Sequence, residues 1–137
     1  MRLLSPKVHG YIDYLASALF GLAPILFMIE GVTRAVMGCY VIAAALLLVS
    51  FVTRYPLGVV RLVPFRVHGA LELLGAPVIV AYPWITGFDH IPAARNFYVV
   101  AGVALFLLWV ITDYRAAERP GELPVPDGGV PQKGQPI

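Results

Sequence analysis

Val8–Leu15 reads VHGYIDYL, and Val67–Leu74 reads VHGALELL. Each phrase places a histidine, a glycine, and a carboxylate four residues after the histidine: His9, Gly10 and Asp13, then His68, Gly69 and Glu72. A constant offset of 59 residues relates them. The same offset carries Pro83 onto Pro24, Asp89 onto Glu30, Ala94 onto Ala35, Leu105 onto Leu46, Thr112 onto Thr53 and Tyr114 onto Tyr55, without a gap. Coincidences among apolar residues are cheap. Coincidences in His, Gly, Pro, Thr and Tyr are not, so the chain reads as a duplicated unit, with repeats at 7–56 and 66–115.

Composition says where such a unit folds. Of 137 residues, 59% are hydrophobic and 13% charged. A soluble domain carries roughly a quarter charged residues, so this chain lacks the polar surface to stay in water. Four apolar stretches are close to the roughly 20 residues that cross a bilayer core. They run from about His9 to Ile29, Thr33 to Thr53, Val67 to Thr86, and Ala94 to Thr112. Internal glycine and proline are tolerated in bilayer helices. The expected fold class is all-α: an integral membrane four-helix bundle in one domain, 1–115, of two parallel two-helix repeats. Residues 116–137, rich in proline, glycine and polar side chains, are expected to form a flexible cytoplasmic tail. The first stretch is too long for the apolar region of a signal peptide and contains Asp13, so it reads as a retained span.

Two spans per repeat bring both repeats into the membrane from the same side. The pseudo-twofold axis then runs along the membrane normal, and equivalent residues share a depth. Of the ten Lys and Arg residues, all but Arg34 and Arg95 fall on the side of the termini and central link. That bias predicts cytoplasmic termini. The net charge of +2, without an interleaved basic and aromatic run, argues against a nucleic-acid partner. The expected partners are the lipid bilayer and either further copies of the chain or subunits of a membrane complex. Cys39, the lone cysteine, stands in an apolar run, where its thiolate is disfavoured.

The third stretch contains YPWITGF, Tyr82–Phe88, matched in the first by APILFMI, Ala23–Ile29. A proline–tryptophan pair late in the first helix of a repeated two-helix unit resembles the SPW-repeat family of small bacterial integral membrane proteins. The resemblance covers about Lys7 to Arg115. Tyr82 replaces the serine, and Ile25 stands where the first tryptophan would be. It implies a fold and a place in the bacterial inner membrane, and carries no activity.

The candidate polar cluster is His9, Asp13, His68 and Glu72. Each pair is four apart and shares a helix face. Two such pairs about a twofold axis supply two imidazoles and two carboxylates, a set suited to a divalent metal or to proton relay. Against this stands simple anchoring. The carboxylates lie about one turn, roughly 6 Å, inside the spans, where charge still reaches water, and the helix dipole favours acids there. Anchoring is preferred, with bonds expected within each half or to Tyr55, Tyr114 or arginine. A metal or ligand site comes next, then conduction, and a haem between His9 and His68 last. No cofactor or metal is therefore assigned.

Pro24 and Pro83 are expected to kink the outer halves of their helices. Trp84 and Phe88 are expected in an outer aromatic belt, and Tyr11, Tyr14, Tyr55 and Tyr114 in an inner one. Glu30 and Asp89 are expected to pair with Arg34 and Arg95. There is no Gly-x-Ser-x-Gly, phosphate loop or His-Glu-x-x-His. The expected role is non-enzymatic and structural or accessory. The alternative is an ion, proton or solute conduit, which needs a polar path through the bundle.

Overall fold

The computed structural model describes residues 3–116. Four helices carry the fold: α1 (Pro6–Leu26), α2 (Thr33–Val52), α3 (Phe65–Thr86) and α4 (Pro92–Ile111). Two minimal strands, β1 (Thr53–Arg54) and β2 (Val63–Pro64), lie in the link between α2 and α3. The closest packing is α1 on α2 and α3 on α4, so each half is a helical hairpin. Helices α2, α3 and α4 are long and apolar enough to cross a membrane, which marks a multi-pass membrane protein. Twenty residues of helix span about 30 Å, the thickness of the hydrocarbon core. Helix α1 is as long, but Lys7, His9 and Asp13 dilute its first turns.

Local chemistry sets the boundaries. Ser5 caps α1 by accepting from the Val8 amide at 3.4 Å, and Pro6 opens the helix where an amide proton would go unused. Helices α2 and α4 end at Thr53 and Thr112, both extended. Each threonine turns its hydroxyl back to donate to the carbonyl four residues earlier, Val49 at 2.5 Å and Leu108 at 2.7 Å.

Pro24 and Pro83 mark the ends of α1 and α3. Each lies in the last turn, and its carbonyl accepts from the amide of the first buried residue beyond the helix: Pro24 O from Ile29 N and Pro83 O from Phe88 N, both at 2.9 Å. The expected outer-half kinks thus take the form of helix ends. The expected spans shift by a few residues for the same local reasons. Beyond the helices the chain turns through the left-handed region, at Met28 (φ 53°) and Gly87 (φ 75°).

The middle of the bundle is apolar. Phe20, Ala23, Ala76, Ile79, Phe97 and Leu105 fill it, and the Ser17 hydroxyl is satisfied by the Ala43 carbonyl at 2.8 Å. The Tyr98 hydroxyl donates to the Ala35 carbonyl at 2.6 Å and meets Cys39 Sγ at 3.4 Å. Outward, Leu15, Ile25, Val41, Leu48, Leu74, Ile85 and Val100 are each about two-thirds exposed. Such a continuous apolar exterior belongs against lipid.

Several expected surface residues are internal. Phe88, Tyr55 and Tyr114 are buried, because they close the ends of the bundle instead of ringing it. Trp84 and Tyr11 are exposed, as a belt requires. The expected loop ion pairs give way to carbonyl contacts: Arg34 donates to Thr86 O at 2.6 Å and Arg95 to Asp89 O at 3.3 Å. The tail beyond Ala116 lies outside the described residues.

Candidate functional site

His9 and Asp13 sit on the second and third turns of α1, and His68 and Glu72 on the matching part of α3. All four are buried, and each offers a polar atom within 4.8 Å of the others. The two Nε2 atoms face each other at 3.3 Å. Asp13 Oδ1 lies 3.2 Å from His9 Nε2, and Asp13 Oδ2 lies 3.3 Å from His68 Nε2. Glu72 Oε1 lies 3.4 Å from His9 Nε2 and 3.5 Å from His68 Nε2.

The far nitrogens cross between hairpins. His9 Nδ1 reaches the Thr112 hydroxyl at the end of α4 at 2.9 Å, and His68 Nδ1 reaches the Thr53 hydroxyl at the end of α2 at 3.0 Å. Short parallel backbone pairings hold these ends side by side. Thr53 pairs with Val63 just before α3, and Thr112 with Leu4 just before α1. The carboxylates are oriented from outside the cluster. Ser50 donates to Asp13 Oδ2 at 3.2 Å, and Tyr114 donates to Glu72 Oε2. Asp13 Oδ1 and Glu72 Oε1 have no hydrogen-bond donor.

An aromatic lid shuts the centre off on the side of the termini. Tyr55, Phe65 and Tyr114 form one buried cluster, with Leu57 and Trp109 packed against it. Tyr55 stacks on Phe65, and Phe65 and Tyr114 each present a ring to His9 at 5.3 Å. Gly10 and Gly69 make the lid possible. A Cβ on Gly69 would come within 2.7–2.8 Å of the Tyr114 ring, and one on Gly10 would collide with Tyr55. These glycines serve ring-on-helix packing. Burial, and then the Glu72 charge, push the Tyr114 phenol well above its ordinary pKa. Burial pushes Tyr55 the same way.

Two clefts flank the centre. One, of about 320 Å³, lies between α2 and α3 and reaches His68 and Glu72 past Leu46, Gly75 and Ile79. Its counterpart between α1 and α4, of about 200 Å³, is lined by Ala16, Phe20 and Leu105. Phe20 stands where the other cleft has Ile79, and Ala16 where it has Gly75.

One expectation about the cluster fails, and one holds in part. It is not water-accessible: His9 and Asp13 are 0% and 1% exposed. Distance from a helix end says nothing about a lid built by other segments. Its bonds are partly those expected: His9 meets Asp13 and His68 meets Glu72 within each half, and Tyr114 bonds Glu72, but both imidazoles also anchor on the other half. Sequence reasoning assigned no part in the site to Thr53, Thr112 and Ser50, although both threonines appear among the repeat matches.

No family model, curated protein or solved structure matches the chain.

Proposed function

We propose that the chain is a non-enzymatic multi-pass protein of the bacterial inner membrane, with both termini and the central link cytoplasmic. Its two parallel hairpins are locked together at the cytoplasmic end by a buried histidine–carboxylate centre. The role is structural or accessory. One observation carries this reading: each hairpin supplies half of the centre and anchors its imidazole on the other hairpin's terminal threonine. The apolar middle of the bundle supports it against the conduit alternative, which needs polar groups at mid-depth. The length and hydropathy of α2, α3 and α4 support the membrane setting, and the ten Lys and Arg residues support the orientation. In this reading α1 is the fourth span.

Substitution in the centre tests the lock. His68→Ala strands buried carboxylates and should lower stability by about 3 kcal/mol or more in detergent unfolding. His90→Ala, at an exposed site, should leave it unchanged. Equal stability of both variants would sink the lock. A periplasmic signal from a reporter inserted in the central link would sink the orientation.

A further inference from the structure

We infer that the buried centre is a tetrahedral site for one divalent first-row metal ion of the zinc class, held by His9 Nε2, His68 Nε2, Asp13 and Glu72 Oε1. The inference rests on the reading of the cluster as the lock between hairpins, and names what turns the lock.

The first argument is proton accounting. A carbonyl oxygen cannot donate, so the Thr53 and Thr112 hydroxyls must give their protons to Val49 O and Leu108 O. Each hydroxyl then has only lone pairs left for the imidazole beside it. Both Nδ1 atoms therefore carry protons, and in neutral imidazoles both Nε2 atoms present lone pairs. The carboxylates follow the same pattern. Asp13 Oδ2 and Glu72 Oε2 accept from Ser50 and Tyr114, while Asp13 Oδ1 and Glu72 Oε1 are buried without a donor. Four electron-rich atoms face one another in a space closed to water. With both imidazoles neutral, these four atoms carry lone pairs and negative charge with no cation between them. Each ligand also has a hydroxyl partner outside the cluster, and outer hydrogen bonds of this kind fix the tautomer and orientation of metal ligands.

The second argument is geometry. Zinc–nitrogen bonds of 2.0–2.1 Å and zinc–oxygen bonds of 2.0–2.2 Å in a tetrahedron place ligand atoms about 3.3–3.5 Å apart. The distances among His9 Nε2, His68 Nε2 and Glu72 Oε1 are 3.3, 3.4 and 3.5 Å, so three of the four ligands already stand at tetrahedral spacing. The Asp13 carboxylate meets His9 Nε2 through Oδ1 at 3.2 Å and His68 Nε2 through Oδ2 at 3.3 Å, and all four donors lie within 4.8 Å of one another.

The third argument is charge. Two carboxylates and a divalent ion sum to zero, which suits burial. Protonating both imidazoles also gives zero, but sets two like charges with converging N–H groups at 3.3 Å. Four protein ligands leave no open position, which is the form of a structural metal site.

The full-length protein, purified in detergent without chelator and dialysed, should retain close to one equivalent of zinc per chain by elemental analysis. Chelator-stripped protein should take up one equivalent of Co²⁺ and show the intense visible bands of tetrahedral cobalt. Thr53→Val leaves all four ligands in place and removes one orienting hydroxyl. It should weaken Co²⁺ binding about 10–100-fold while the protein stays folded. His9→Ala should abolish uptake, and His90→Ala should not change it. Absence of metal with no Co²⁺ bands, in protein that His68→Ala still destabilises, overturns the metal and leaves the lock standing. No metal together with no loss of stability in His68→Ala overturns both. Octahedral cobalt, or uptake that survives His9→Ala, overturns the assigned ligand set.

Discussion

At the scale of single residues, equivalent positions do equivalent work with unequal means. Met28 and Gly87 both turn the chain in the left-handed region after a helix. Glycine does this without cost, whereas a side chain with a Cβ loses about 1–2 kcal/mol there. Met28 is 86% exposed, so little packing opposes the change. Met28→Gly should therefore raise stability by about 0.5–1 kcal/mol, after the entropy glycine adds to the unfolded chain. Chemical unfolding of the two proteins in the same detergent checks this, and a loss of stability would show that Met28 packs. The carboxylates show the same inequality. Glu72 takes its second hydrogen bond from Tyr114, but Asp13 takes it from Ser50, whose counterpart in the other half is Trp109. The shorter aspartate is served from a neighbouring helix, the longer glutamate from the chain beyond α4.

At the scale of elements, the lid decides how the centre meets solvent. Tyr55 and Tyr114 are chain beyond the helices folded back over helix ends, with glycines beneath them. Burial raises both phenols above the usual value of about 10. The raised pKa belongs to the folded state, so the neutral phenols contribute stability that is complete below about pH 10. That stability is lost as the pH rises from there towards the folded values, because only the unfolded chain readily sheds these protons. In an ultraviolet titration of the seven tyrosines, at least these two should resist ionisation near pH 10 and appear only as the protein unfolds. Ionisation of all seven in one step near pH 10 would mean that the lid is open.

At the scale of the molecule, the constant offset and the hydropathy made the fold legible. Pro24 with Pro83 and Thr53 with Thr112 lie at matching points, and each pair ends helices in both halves. The four residues of the centre were legible as a set, since each pair shares a helix face. Their depth was not. It depends on the lid, and the lid depends on where the links turn back, which carries no periodicity. The threonine anchors were hidden for a related reason. Their partners lie 15 and 103 residues away in sequence, across an interface that no local spacing encodes.

The two unequal clefts give the molecule a front and a back in the plane of the bilayer. On the α1–α4 flank Phe20 fills what Ile79 leaves open on the α2–α3 flank. A small apolar solute dissolved among the acyl chains thus meets a doorway to His68 and Glu72 on one flank and, on the other, a smaller cleft with Phe20 as a wall and no His9 in its lining. Xenon, which settles in dry apolar cavities, should shift the imidazole resonances of His68 well before those of His9. Ile79→Phe should abolish the difference by building the wall twice. Equal shifts on both rings in the unsubstituted protein would mean that the doorway is shut. A duplicated chain has in this way acquired a direction that neither of its halves had alone.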